Sequence, residues 1–66
     1  MAVVKVIEIL AESDVSWEKA TQDAVSEAAK TIKNIQTVYI ESFQAVVKGN
    51  KISKYRVDAK ISFIVD

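Results

Sequence analysis

Residues 51–66 read KISKYRVDAKISFIVD, and this stretch decides the fold. Apolar side chains stand at every second position, and mostly polar ones stand between them. The first set is Tyr55, Val57, Ala59, Ile61, Phe63 and Val65, and the second is Lys54, Arg56, Asp58, Lys60, Ser62 and Ile64. Such alternation is typical of a β-strand with one face on a core. At about 3.3 Å per residue, the strand is about 50 Å long.

A second strand is predicted directly before this one, over residues 36–47. The link between them is Lys48, Gly49 and Asn50. Glycine and asparagine tolerate the positive φ angles that a tight hairpin turn requires. The two strands are therefore expected to pair as an antiparallel hairpin.

The first half of the chain predicts one more strand and one helix. Residues 3–10 are mainly β-branched and apolar, which favours a strand. From Trp17 to about Lys33 the apolar residues recur every three or four positions, as on one face of a helix. Ser16 is the expected N-cap of this helix. The apolar stripe is mostly alanine, so the helix can lie close against a sheet.

These elements define an α+β fold, a β-α-β-β subunit in a single domain, residues 1–66. A right-handed crossover through the helix places the first strand parallel to the second. The third strand then lies between them, giving a three-stranded antiparallel-type sheet of order 1-3-2, wrapped around one helix. The helix spans only about 25 Å, which is half of the third strand. The remaining apolar surface is expected to be covered by other copies of the chain.

The composition excludes several classes of function. The 66 residues include no cysteine and no histidine, so disulfides, thiolate sites and the commonest general base are absent. So small a domain is marginally stable, and oligomerisation is the stabilising device that remains. Nine basic residues balance nine acidic ones, which gives no drive toward nucleic acid or a membrane. We expect a cytoplasmic protein that is not an enzyme.

Two groups of charged residues are candidate sites. Glu12, Asp14 and Glu41, with Glu8 nearby in sequence, supply the oxygen ligands that Ca²⁺ or Mg²⁺ prefers. The alternative is that these are ordinary solvated acids. A basic group around the hairpin is either a solvated surface or an anion site formed where copies meet; it comprises Lys48, Lys51, Lys54 and Arg56.

Four segments in order resemble the dodecin family. They are KVIEI at 5–9, SWEKA at 16–20, KTIKNI at 30–35 and KYRVDAKISF at 54–63. The resemblance implies a hollow, roughly spherical homododecamer of cubic symmetry. It also implies a role in binding and storing flavins such as riboflavin or FMN, at the interfaces between subunits.

The resemblance also implies flavin-contact positions. In the family, a tryptophan early in the second strand stacks on the flavin ring, and a glutamine after the tyrosine of the third strand hydrogen-bonds its edge. Thr37 and Arg56 stand at these positions here, and Gln44 is a third candidate contact. Trp17 matches an apolar position at the start of the helix instead.

Three functions follow from the resemblance. The first is a shell that binds or stores a small ligand, flavin being the usual one. Some dodecin-like proteins without the tryptophan are linked to calcium. The second is therefore a cation-binding shell using Glu12, Asp14 and Glu41. The third is a purely structural oligomer without a ligand.

Overall fold

A three-stranded sheet packed against one helix forms the whole of the computed structural model, which describes residues 2–65. The elements in chain order are β1 (Val3–Ser13), α1 (Trp17–Ala28), β2 (Ile35–Lys48) and β3 (Lys51–Val65). The predicted α+β class and β-α-β-β order are confirmed. The prediction that the third strand includes residue 66 lies outside the described residues.

Strand β3 is the centre of the sheet. The order is β1-β3-β2, and both neighbours pair with β3 in antiparallel fashion, as predicted. The side chains of Val57, Ala59 and Ile61 on β3 are fully buried. The strand whose apolar and polar residues alternate most strictly is therefore the central one. It has a hydrogen-bonded strand on each side and the helix over one face.

The helix begins where the sequence predicts and ends earlier. The Ser16 hydroxyl accepts the Lys19 N–H at 2.9 Å, as an N-cap should. The apolar spacing predicts a helix to about residue 33, but α1 ends at Ala28. The N–H groups of Lys30 and Thr31 bond to carbonyls three residues back, which is a tighter turn than an α-helix. Asn34 then takes a φ of 63° as the chain enters β2.

The alanine stripe of α1 faces the sheet. Ala20, Ala24 and Ala28 are the buried residues of the helix. Ala20 packs with Val57 and Ala59 of β3 in the centre of the core. Small side chains allow this close approach of the helix to the sheet.

Strand β1 extends three residues beyond its predicted end. The prediction stopped at residue 10 because polar residues follow, yet β1 continues to Ser13. Glu12 pairs in register with Arg56, and Ser13 with Tyr55. The ladder therefore continues with Glu12 opposite a polar residue of β3 and the buried Ser13 opposite an apolar one. The turn after Ser13 is held by its hydroxyl, which accepts the Val15 N–H at 2.9 Å.

The hairpin between β2 and β3 is confirmed. Lys48 pairs with Lys51, and the two residues between them have positive φ, 58° at Gly49 and 63° at Asn50. This is the type I′ geometry of two-residue hairpins. Strand β2 has register shifts at three places along β3. These irregularities explain why its sequence shows no purely apolar face.

The sheet extends well beyond its helix. The chain measures 51 Å in its longest dimension, whereas 12 helical residues span about 18 Å. Large apolar side chains outside the covered centre are exposed, as expected. Within residues 2–65, no helix has the length and hydrophobicity needed to cross a membrane.

Candidate ligand-binding face of the sheet

The candidate site residues lie mostly on the sheet face opposite the helix, here called the polar face. Alternate residues of β3 point to opposite faces, and those between the buried Val57, Ala59 and Ile61 point away from α1. The polar face of β3 therefore consists of Lys54, Arg56, Asp58, Lys60, Ser62 and Ile64. Side chains of the edge strands flank this row.

Glu12 is held by two basic side chains of β3. The Nε of Arg56 donates to Glu12 Oε1 at 2.7 Å, and its Nη2 donates to the same oxygen. The Nζ of Lys54 lies 3.7 Å from Glu12 Oε2. The hydrogen bond from Arg56 lowers the pKa of the Glu12 carboxyl, with a smaller opposing effect from loss of solvent. Glu12 is therefore an ionised carboxylate whose two oxygens both face cations.

Two of the three predicted cation ligands share a cleft at this end of the sheet. Glu12 and Asp14 line a cleft of about 300 Å³, together with Ser13, Val15, Lys19, Asp23 and Lys54. Asp23 is engaged by Lys19, with 2.7 Å between Nζ and Oδ1. Asp14 has no hydrogen bond or ion pair to any other residue in the range 2–65. It is therefore the acid of this cleft that is most available to a cation.

The third predicted ligand lies elsewhere. Glu41 of β2 forms an ion pair with Lys60, with 3.4 Å between Nζ and Oε2. It does not line the cleft that holds Glu12 and Asp14. Across residues 2–65, the acidic side chains form no cluster of three able to hold a metal ion. A cation bound at Asp14 would need further ligands from water or a neighbouring subunit.

The predicted flavin-contact residues fall into two separate places. Gln44 pairs in register with Arg56, so these two lie side by side. Thr37 pairs with Ser62, and their hydroxyls are hydrogen-bonded to each other. Ser62 stands six residues beyond Arg56 on β3, a separation of about 20 Å. One ligand that touches both Thr37 and Arg56 therefore requires two subunits.

The helix side of the sheet carries an aromatic cluster. The Trp17 ring meets Tyr55 and Phe43 edge to face, with centroid separations of 4.9 Å and 6.0 Å. Its Nε1 donates to the Gln44 carbonyl at 2.8 Å. Trp17 thus fastens the start of α1 to both β2 and β3, which is a structural role. A groove of about 600 Å³ lies beside it, between α1 and β2.

Sequence reasoning missed the most direct contact of the polar face. It assigned Glu12 to a cation and Arg56 to a flavin, whereas the two bind each other. They are 44 positions apart in the chain. The signal that joins them is the β1–β3 register, which the sequence alone does not provide.

The fold and this face define a class: small α+β subunits whose long sheet is covered only in part by its own helix. Residues 3–66 match the Dodecin family, and the chain belongs to that family.

Relatives from Mycobacterium tuberculosis are similar in both sequence and structure. Calcium dodecin of that organism is 39% identical over 64 residues, covering 96% of this chain and 89% of the relative. A crystal structure described as the calcium-chelating immunodominant antigen calcium dodecin, with a novel calcium-binding site, superimposes with a TM-score of 0.85. That structure is 30% identical, and the match covers 97% of this chain and 91% of the other.

Other dodecins share the fold at lower sequence identity. A Thermus thermophilus dodecin variant has a TM-score of 0.94 at 21% identity, covering 100% of this chain and 98% of the other. Dodecin from Streptomyces coelicolor also has a TM-score of 0.94, at 17% identity, covering 98% and 93%. These two structures support the fold, and they carry no statement about the ligand.

Proposed function

We propose that this protein is a calcium-binding dodecin that assembles from twelve copies of itself into a hollow shell. The observation that carries the proposal is its 39% identity with a calcium dodecin over nearly the whole chain. On this proposal the protein binds and stores a cation and does not catalyse a reaction. The cation is held where subunits meet.

The apolar surface of the single subunit supports assembly. Seven large apolar side chains expose between 55% and 66% of their surface: Val3, Val6, Leu10, Tyr39, Phe43, Val47 and Ile52. They come from all three strands, and β1 and β2 each leave one edge unpaired within the subunit. A stable monomer of this size rarely exposes so much apolar surface. Burial between copies would supply the stability that the small core lacks.

The cleft at the end of β1 supports a cation site. Asp14 is exposed there without a partner in residues 2–65, and Glu12 lies two residues away. Calcium takes six to eight oxygen ligands, far more than these two acids provide. A site of this kind is therefore completed by water and by a second subunit. Glu41, the third expected ligand, does not line this cleft and is not part of the proposed site.

Flavin is the second candidate ligand, and Arg56 beside Gln44 is the observation in its favour. The pair offers hydrogen-bond donors to the edge of a flavin ring. Against it, Thr37 supplies no aromatic ring to stack on, and its hydroxyl is bonded to Ser62. Arg56 also already donates through two of its nitrogens to Glu12, which leaves fewer donors for a ligand. Calcium therefore ranks above flavin, and a shell without any ligand ranks third.

Calorimetry with calcium tests the proposal directly. Protein freed of metal with a chelator should release or absorb heat on adding Ca²⁺, and Mg²⁺ serves as the matched control. Mg²⁺ demands a smaller, near-octahedral site, so we expect it to bind more weakly. No heat and no calcium-dependent rise in Tm would rule out the calcium function.

Three further measurements test the assembly, the flavin alternative and the cellular location. Light scattering should give a mass near twelve times the 7.3 kDa chain, and a mass of one chain would contradict assembly. The protein should not quench the fluorescence of riboflavin at micromolar riboflavin concentrations. Quenching would make flavin, rather than calcium, the favoured ligand. The cytoplasmic location expected from the sequence stays a prediction, and cell fractionation tests it.

A further inference from the structure

Two acidic side chains on the polar face, Glu8 and Asp58, are close neighbours. In the β1–β3 register Glu8 faces Lys60 and Asp58 faces Leu10, so the two acids are diagonal neighbours on one face. Diagonal positions lie about 7 Å apart, within reach of long side chains. The Asp58 carboxyl group acts on Glu8 and raises its pKa. Two ionised carboxylates on neighbouring positions repel each other, so the pair favours a proton on one of them.

The basic side chains nearby are already engaged. Lys60 lies between the acids and Glu41, and its Nζ is 3.4 Å from the Glu41 carboxylate. Arg56 and Lys54 both face Glu12. Four acids therefore share three bases on this part of the polar face: Glu8, Glu12, Glu41 and Asp58 against Lys54, Arg56 and Lys60. One negative charge is left without a matching cation.

Asp58 is the less exposed member of the pair. Its Oδ1 is buried and has no hydrogen-bond partner. This buried oxygen has lost water without gaining a hydrogen-bond donor in exchange. The O–H of a protonated Glu8 carboxyl group can supply the missing donor.

We propose that Glu8 and Asp58 hold one proton between them, and that this proton makes the folded chain more stable in mildly acid than in neutral solution. The pair is a pH-sensitive device built into the sheet, and it is independent of calcium binding.

The direction of the pH effect follows from the charges around the pair. The hydrogen bond with Asp58 and then the Asp58 charge raise the pKa of Glu8 above its ordinary value of 4.5. Loss of solvent and Glu41 act in the same direction, whereas Lys60 opposes them. The folded chain therefore binds more protons than the unfolded chain between the ordinary pKa and the raised one. Stability falls as pH rises through that interval.

Glu8→Gln is the test variant, because an amide keeps a hydrogen-bond donor toward Asp58 and carries no charge. The full chain is unfolded with urea at one protein concentration, with a chelator present, from about pH 4 to pH 8. We expect the Glu8→Gln midpoint to lie above the wild-type midpoint at neutral pH. The gap should close toward the acid end. Glu27→Gln, an exposed helix acid, is the control and should leave the wild-type pH profile unchanged.

A substitution of Asp58 and an NMR titration test the shared proton independently of Glu8→Gln. Asp58→Asn should flatten the pH profile in the same way, and a carbon NMR titration of the wild type should show Glu8 titrating above the ordinary range. If Glu8→Gln has the wild-type pH profile, or is less stable than the wild type at neutral pH, the proposal that Glu8 and Asp58 share a proton is wrong. Calcium enters neither measurement, so these failures are distinct from failure of the proposed function.

Discussion

Arg56 and Glu12 face each other across strands β3 and β1, and their side chains form an ion pair on the polar face. The arginine donates through two nitrogens to one carboxylate oxygen, and Lys54 lies near the other oxygen. A ligand that takes the Nε or Nη2 donors of Arg56, or Oε1 of Glu12, therefore competes with this pair. The pair links the two candidate ligand positions of this chain.

This ion pair predicts a loss of stability in acid. Because Arg56 lowers the pKa of Glu12, the pair stabilises the fold above the unfolded value near 4.5 and is lost as pH falls below it. Glu12→Gln removes that contribution, so the Tm difference between wild type and variant should be largest at neutral pH and shrink in acid. Thermal unfolding across this range measures it. An equal difference at every pH would contradict the prediction, and Glu18→Gln on the helix is the control.

Asp14→Asn should weaken calcium binding while leaving the fold intact. The substitution removes the charge of the exposed acid in the cleft, and no protein partner within residues 2–65 loses a contact. We expect an approximately tenfold weaker Kd, about 1.4 kcal/mol, by calorimetry. Glu27→Gln removes one acidic charge at a distance and controls for net charge. Equal Kd values for Asp14→Asn and wild type would place the site elsewhere.

Trp17→Phe should destabilise the chain by about 1 kcal/mol, the net contribution of one hydrogen bond. The phenyl ring retains much of the packing on Phe43 and Tyr55, and the bond from Nε1 to the Gln44 carbonyl is lost. Urea unfolding followed by circular dichroism measures the change. Tyr39→Phe is the control, because it removes a polar group from a ring that is 62% exposed. A Trp17→Phe chain as stable as the control would show that the bond contributes nothing.

Ala20→Leu should lower the free energy of unfolding by about 1–3 kcal/mol, the usual range for overpacking a tight core. Ala20 is fully buried against Val57 and Ala59, so three added carbons push the helix off the sheet. Ala29→Leu adds the same atoms at an exposed position next to the helix and should be nearly neutral. Urea midpoints compare the two. Equal stability of both variants would mean that the helix does not depend on this close approach.

Gly49→Ala should lower the free energy of unfolding by about 1 kcal/mol, because alanine is strained at this backbone conformation. The φ of Gly49 is +58°, and a Cβ built there meets no atom within 4 Å. Strain rather than collision therefore sets the cost. Gly49→Asn tests this account, since asparagine tolerates left-handed φ and should cost less. Equal losses for both variants in urea unfolding would contradict it.

The strands and the turns follow from local rules in the sequence. Alternation around Val57, Ala59 and Ile61 predicts the central strand, since side chains of a strand alternate between faces wherever it lies. Gly49 predicts the hairpin turn, and Ser16 predicts the helix start, because the required φ and the capping hydroxyl are properties of single residues. The family resemblance also rested on segments that are contiguous in the chain.

The contacts of the polar face depend on the tertiary structure. Glu12 meets Arg56, and Glu8 meets Asp58, only because β1 pairs with β3 in one particular register; a shift of one residue would turn each side chain to the other face. The same register separates Thr37 from Arg56 within one subunit. The helix end at Ala28 was also decided by the turn that leads into β2.

The sequence by itself therefore determined the elements, their order and the need for more cover than one helix provides. Each of these depends on residue type and short-range spacing. Only the tertiary structure decided that Arg56 is held by Glu12, because that contact joins residues 44 positions apart. An ion pair forms only when the two charged groups come within about 4 Å, so the partner of a charged side chain is known only once the strands are paired.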